Sequence, residues 1–169
     1  SFPILSIQYY SIYNHCLLSV RCCEVIEFPV LKVNAKTYEI DSSFHQFVKP
    51  KHHPKLSLFC MDLTSITQEE VDGGKPFPEV FKDFDKWIKE DVGINNKFLF
   101  VTCGDWDLKT MLPSQCASEN LQVPAYCKKW LNIKKASMYC ITLSPSVPIL
   151  WRPLGSCPLC PLLNPALHL

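Results

Sequence analysis

Charged residues are missing from both ends of this sequence. Residues 1–20 carry no Asp, Glu, Lys or Arg, residues 136–169 carry only Arg152, and no acidic residue lies outside the stretch from Glu24 to Glu119. A folded domain needs ionised groups over its water-facing surface, so the ends read as segments of a different make from the middle. The sequence is therefore divided into an N-terminal segment (1–23), a central domain (24–138) and a Pro/Cys-rich irregular tail (139–169). Net charge is also lacking: at +1 there is no overall field toward a polyanion, and any nucleic-acid contact has to rest on local patches. The apolar start, SFPILSIQYYSIYNHCLLSV, has no Met and no basic residue before Arg21, which excludes the signal-peptide pattern. Gln8, Asn14, His15 and Pro3 interrupt the ~20 apolar residues a membrane span needs. We read this end as a segment whose true beginning is missing, or as spliced or retained non-coding sequence, and expect no membrane contact.

Repeats are absent, and so is a disulfide framework. Ten cysteines are present, but neighbours such as Phe59 and Thr102 belong to strand and helix patterns rather than to a loop-rich secreted scaffold. Buried reduced thiols in an intracellular protein, cytoplasmic or nuclear, are expected. Cys157-Pro158-Leu159-Cys160 is a single CxxC with no second pair at zinc spacing and only His168 nearby, so it falls short of a metal site. Prolines 145, 148, 153, 158, 161 and 165 exclude helix and central strand from the tail.

What is present is enough for one core: 169 residues, 47% apolar and 20% charged, fit a single globular domain. Residues 24–33 (EVIEFPVLKV) and 37–48 (TYEIDSSFHQFV) flank a turn at Asn34-Ala35-Lys36 and form an antiparallel hairpin, with Pro29 tolerable only at an edge or bulge. Lys49-Pro50 ends it, and 51–55 (KHHPK) is a basic loop. Thr67 to Glu70 is a capping box opening a short helix that Asp72-Gly73-Gly74 stops. Pro78 starts a longer helix to about Glu90, with Val80, Phe81, Phe84, Trp87 and Ile88 on one face and Lys82, Asp83, Asp85, Lys86 and Lys89 on the other. Residues 98–102 are a strand buried on both faces. Helix follows from Trp106, broken near Pro113; Trp130 to Ile133 is a further strand, and helix begins again at Lys134. Together these make a mixed α/β sheet with packed helices.

Three blocks then carry a resemblance: Val25-Ile26-Glu27-Phe28-Pro29-Val30, Phe59-Cys60-Met61-Asp62-Leu63-Thr64-Ser65-Ile66, and Cys103-Gly104-Asp105-Trp106-Asp107-Leu108. Trp130-Leu131-Asn132-Ile133-Lys134-Lys135 continues the series. In this order and spacing they resemble the Eri-type 3′–5′ exoribonucleases, a branch of the DEDDh exonucleases, over residues 24–137. The resemblance implies an α/β, ribonuclease-H-like mixed sheet, here incomplete at both ends, acting on single-stranded RNA 3′ ends with Mg2+ or Mn2+. Two such metals about 3.5–4 Å apart clamp the scissile phosphate and need a cluster of carboxylates, with a histidine as general base. The family draws these from an Asp-x-Glu strand, an Asp opening the helix after the third block, and a His-x4-Asp helix. By the resemblance Asp107 is the middle metal ligand, and Phe59, Thr64 and Trp106 bind substrate; Asp105 caps the helix. Ser65 stands where the family's Leu-Thr-Gly-Ile has glycine.

The remaining acids have no counterpart here. Glu27, inside Ile-Glu-Phe-Pro, matches the second strand, not the first. One carboxylate cannot hold two metals, so this chain is expected not to hydrolyse RNA by the family's route. The alternatives are a non-catalytic RNA- or protein-binding splice product and a product without stable fold, because loss of a central strand leaves backbone groups unpaired. Residues 16–20 (CLLSV) are a possible substitute strand without an acid. Three of the site residues also have a plainer role: Asp107 as a helix N-terminal acid, Phe59 and Trp106 as core aromatics. His45, His52 and His53 read as solvated, and Lys128-Lys129 and Lys134-Lys135 as a solvated face.

Overall fold

The computed structural model describes residues 3–7, 10–11, 24–93 and 98–135. Among the described residues seven strands form one sheet: β1 (Pro3–Ile7), β2 (Tyr10–Ser11), β3 (Val25–Asn34), β4 (Ile40–Lys49), β5 (Lys75–Pro76), β6 (Leu99–Thr102) and β7 (Trp130–Asn132). Their order is β5-β4-β3-β1-β6-β7, with β2 beside β3. Helices α1 (Leu58–Thr64), α2 (Gln68–Asp72), α3 (Phe77–Trp87) and α4 (Leu112–Ser118) pack on it. Cys157, Cys160, His168 and residues 16–20 lie outside the described residues.

The apolar, β-branched run and the turn after it build the β3–β4 hairpin as expected, but β4 starts later than Thr37. The Asn34 side chain accepts from the backbone N–H of Lys36 at 3.0 Å, and its main chain pairs with Tyr38 and Glu39. Tyr38 takes a left-handed φ of 61° to close that turn.

The centre of the sheet differs from the sequence expectation. β1 runs antiparallel to β3 (Ile7 opposite Val30) and parallel to β6 (Ile7 opposite Thr102). A strand from the uncharged N-terminal segment therefore occupies the central position, and the sheet crosses the boundary drawn at residues 23–24. Backbone groups of β3 and β6 that an absent strand would have left unpaired face β1 instead. Pro29 consequently sits in an interior strand, not an edge. It falls between the β1 pair Ile7–Val30 and the β2 pair Tyr10–Glu27.

Each face carries its own core. Phe28, Phe44, Phe77, Phe81 and Phe84 meet on the side of α3 and α4, with Phe28–Phe84 centroids 4.8 Å apart and Phe28–Phe44 edge-to-face at 5.7 Å. Ile26, Leu56, Cys60, Ile66 and Val71 form a second cluster under α1 and α2. α2 opens with the expected capping box, Thr67 and Glu70 each bonding the other's backbone N–H. Gly74 lets β5 approach β4: a Cβ there would meet the Phe47 carbonyl oxygen at 2.8 Å.

Two expectations about helix ends are refined. Pro113 does not break the helix. A wide turn over Asp107–Met111 precedes it, in which the Leu112 N–H reaches back to the Asp107 carbonyl, and Pro113 then sits at the start of α4, where a missing N–H does no harm. α1 ends on Ser65, held left-handed (φ 60°) while its N–H donates to the Met61 carbonyl at 2.8 Å. A side chain is strained there, and Ser65→Gly is expected to raise stability by about 1 kcal/mol, read from the denaturant midpoint.

Candidate active site

The site begins where β6 ends. Thr102 is buried, Gly104 takes a φ of 134° that only glycine adopts readily, and the chain then passes through Asp105 and Trp106 into the helical segment opened by Asp107. Because β1 and β6 are parallel, the C-terminal end of β1 emerges beside this turn. β1 reads Pro-Ile-Leu-Ser-Ile, without a carboxylate. Asp107 is 8% exposed and Trp106 37%.

Asp105 does not behave as expected. Its side chain leaves the helix uncapped and turns to β7, where Oδ1 accepts from Trp130 Nε1 at 3.0 Å and Asn132 Nδ2 at 2.9 Å, and Oδ2 from Lys135 Nζ at 2.5 Å. Only its backbone carbonyl serves the helix, accepting from Lys109 N–H at 2.9 Å. Lys135 first, then Asn132 and Trp130, hold the Asp105 carboxyl far below the usual carboxylate range. Lys135 thus pairs with Asp105 while its side chain, 64% exposed, stays on the solvated face expected for it.

Phe59 lies on α1 and is 59% exposed, with Leu58 and Leu63 of the same helix also exposed. Neither Phe59 nor Trp106 is a core aromatic. Thr64, in contrast, is 7% exposed, and its hydroxyl donates to the Cys60 carbonyl at 2.8 Å and accepts from Ile66 N–H at 3.2 Å. That places Thr64 as the fastening at the end of α1.

Two further clusters were not evident from the sequence. Buried Glu24 accepts from the backbone N–H groups of Lys51, His52 and His53 at 2.8, 3.0 and 2.8 Å, so one carboxylate fixes the basic loop. No local signal links residues so far apart. His45 is 48% exposed in its side chain, yet its Nε2 lies 2.6 Å from Oε1 of buried Glu27. The Glu27 hydrogen bond raises the His45 pKa against the opposing effect of burial, with the charges of Glu27 and Glu70 adding to it. Since the folded value lies above the ordinary ~6.5, this pair stabilises the fold fully below that pH and is lost as pH rises through the raised value. Thermal midpoints measured from pH 5 to 9 are expected to fall more steeply in the parent chain than in His45→Gln.

Cys60, Cys103, Cys116 and Cys127 are free thiols; burial pushes Cys116 up to about 12. Among the described residues no helix is long and apolar enough to cross a membrane, and no group of three or more His, Cys, Asp or Glu side chains is placed to hold a metal. A two-metal centre needs several carboxylates, and beside Asp107 the strand β1 supplies none. Among the described residues no side-chain cluster fits that centre.

A mixed sheet in this order, with helices on both faces, is the ribonuclease-H-like fold of the DEDDh nucleases. The chain belongs to the exonuclease family RNase_T, whose profile matches residues 18–140. Human ERI1 exoribonuclease 3 is 50% identical to it over 115 residues, covering 67% of this chain and 34% of that protein. The chain thus spans about a third of the length of this curated relative. The nuclease domain of 3′hExo, a DEDDh family member bound to rAMP, superposes with a TM-score of 0.76 at 35% identity, over 84% of this chain and 72% of that one. A 3′-exonuclease structure showing 3′-end-specific recognition of a histone mRNA stem-loop gives a TM-score of 0.76 at 35% identity, covering 83% of this chain and 49% of its own. DEDDh enzymes are generally dependent on divalent metals.

Proposed function

We propose that this chain is an exoribonuclease-family segment that engages single-stranded RNA 3′ ends through Phe59 and Trp106 and does not by itself hydrolyse them. The observation that carries the binding half is the exposure of both aromatics, Trp106 directly preceding Asp107. An aromatic with an open face stacks on any base, and the sequence-independent gain is about 1–3 kcal/mol per base. The solved relatives with rAMP and with a histone mRNA stem-loop support RNA as the ligand class. The non-hydrolysing half rests on the carboxylate count: Asp107 as one ligand position, a β1 without acids, and no acidic residue beyond Glu119. Mg2+ or Mn2+ would find too few ligands to bind stably. Free thiols at Cys60, Cys103, Cys116 and Cys127 support a reducing, intracellular location, cytoplasmic or nuclear.

The test is fluorescence anisotropy of a labelled 3′-overhang RNA at several salt concentrations. Trp106→Ala is expected to weaken binding about 5- to 100-fold, with Phe59→Ala acting in the same direction. Equal affinity of Trp106→Ala and the parent chain would remove the aromatic contact from the account.

A further inference from the structure

Trp106 is carried on a turn that starts at a left-handed glycine (φ 134°), and it is 37% exposed. An aromatic whose pose is set before the ligand arrives keeps more of its stacking gain, since ordering it on binding offsets part of that gain. A contact from outside the turn can supply that order. The three donors on the Asp105 carboxylate all come from β7 and the residues just after it: Trp130, Asn132 and Lys135. Asn132 is itself anchored, its Oδ1 accepting from the backbone N–H of Lys134 at 3.0 Å, and by register it lies opposite Thr102. The turn is thus tied to the sheet twice, through the main chain of β6 and through the Asp105 side chain. We infer that Asp105 is a positioning residue that holds Trp106 in its RNA-stacking pose by fastening the β6 turn to β7, without contacting RNA itself.

This rests on the RNA-binding reading above, and the experiment separates the two. The full chain labelled with 5-fluorotryptophan is compared with Asp105→Ala, Asp105→Asn and Lys135→Met by 19F NMR, circular dichroism and RNA titration. In folded Asp105→Ala the Trp106 and Trp130 resonances are expected to shift, that of Trp106 to broaden, and RNA affinity to fall about tenfold. Asp105→Asn keeps an oxygen for Trp130 and Asn132 and is expected to regain most of that affinity, which loss of bulk stability alone would not produce. An unchanged Trp106 resonance in folded Asp105→Ala overturns the inference, as does an Asp105→Asn chain that binds as weakly as Asp105→Ala. Should Asp105→Ala fail to fold, Lys135→Met removes a single bond and decides: a shifted Trp106 signal with weaker binding supports the anchor, and parent-like values for both overturn it. If Trp106→Ala leaves RNA affinity unchanged, the RNA reading falls, while the Trp106 resonance still reports whether Asp105 sets its pose.

Discussion

Leu5→Ala is expected to lower the stability of this chain by about 3 kcal/mol, measured by urea denaturation. Leu5 is fully buried in the centre of β1, opposite Lys32 of β3 on one side and Phe100 of β6 on the other. Truncating it leaves a cavity in the main core, where Phe28, Phe100 and Leu112 also lie, and close packing limits collapse around the hole. The size of the loss distinguishes an integral strand from an appended tail. A surface residue would change stability by less than about 0.5 kcal/mol, so a loss of that order would mean that residues 3–7 do not belong to the sheet.

The largest single loss is expected from Phe28→Ala, about 4 kcal/mol in the same measurement. Phe28 is fully buried and its ring meets those of Phe44, Phe77, Phe81 and Phe84, so one truncation removes contacts from β4 and α3 together. Phe28→Leu, which refills most of the volume, is expected to recover over half of the loss.

These two positions also mark how far the sequence could be read. Phe28 belongs to an apolar, β-branched run next to a turn, and the α3 face repeats at three and four residues. Such local patterns expose hairpin, capping box and helix before any contact is known. Leu5 carries no such pattern. Pro-Ile-Leu-Ser-Ile is too short and too free of charge to declare a strand, and its place is set by pairing with β3 and β6, far along the chain. Asp105 illustrates the same limit at the site. Its position suggested a helix cap, but partners 25 to 30 residues later, at Trp130, Asn132 and Lys135, drew its carboxylate to β7. Asp107 and Trp106 were found through the family block alone, because neither a lone Asp nor a lone Trp identifies itself.

The Gly-Asp-Trp-Asp turn thus has a central strand beside it, but that strand brings no acid to Asp107. The most direct test is incubation of the purified chain with a 3′-overhang RNA and Mg2+ or Mn2+, with products resolved on a denaturing gel. The expected result is RNA retained at full length, with no difference between the parent chain and Asp107→Ala. Stepwise 3′ trimming that disappears in Asp107→Ala would contradict it, because a metal centre would then exist that a single carboxylate cannot build.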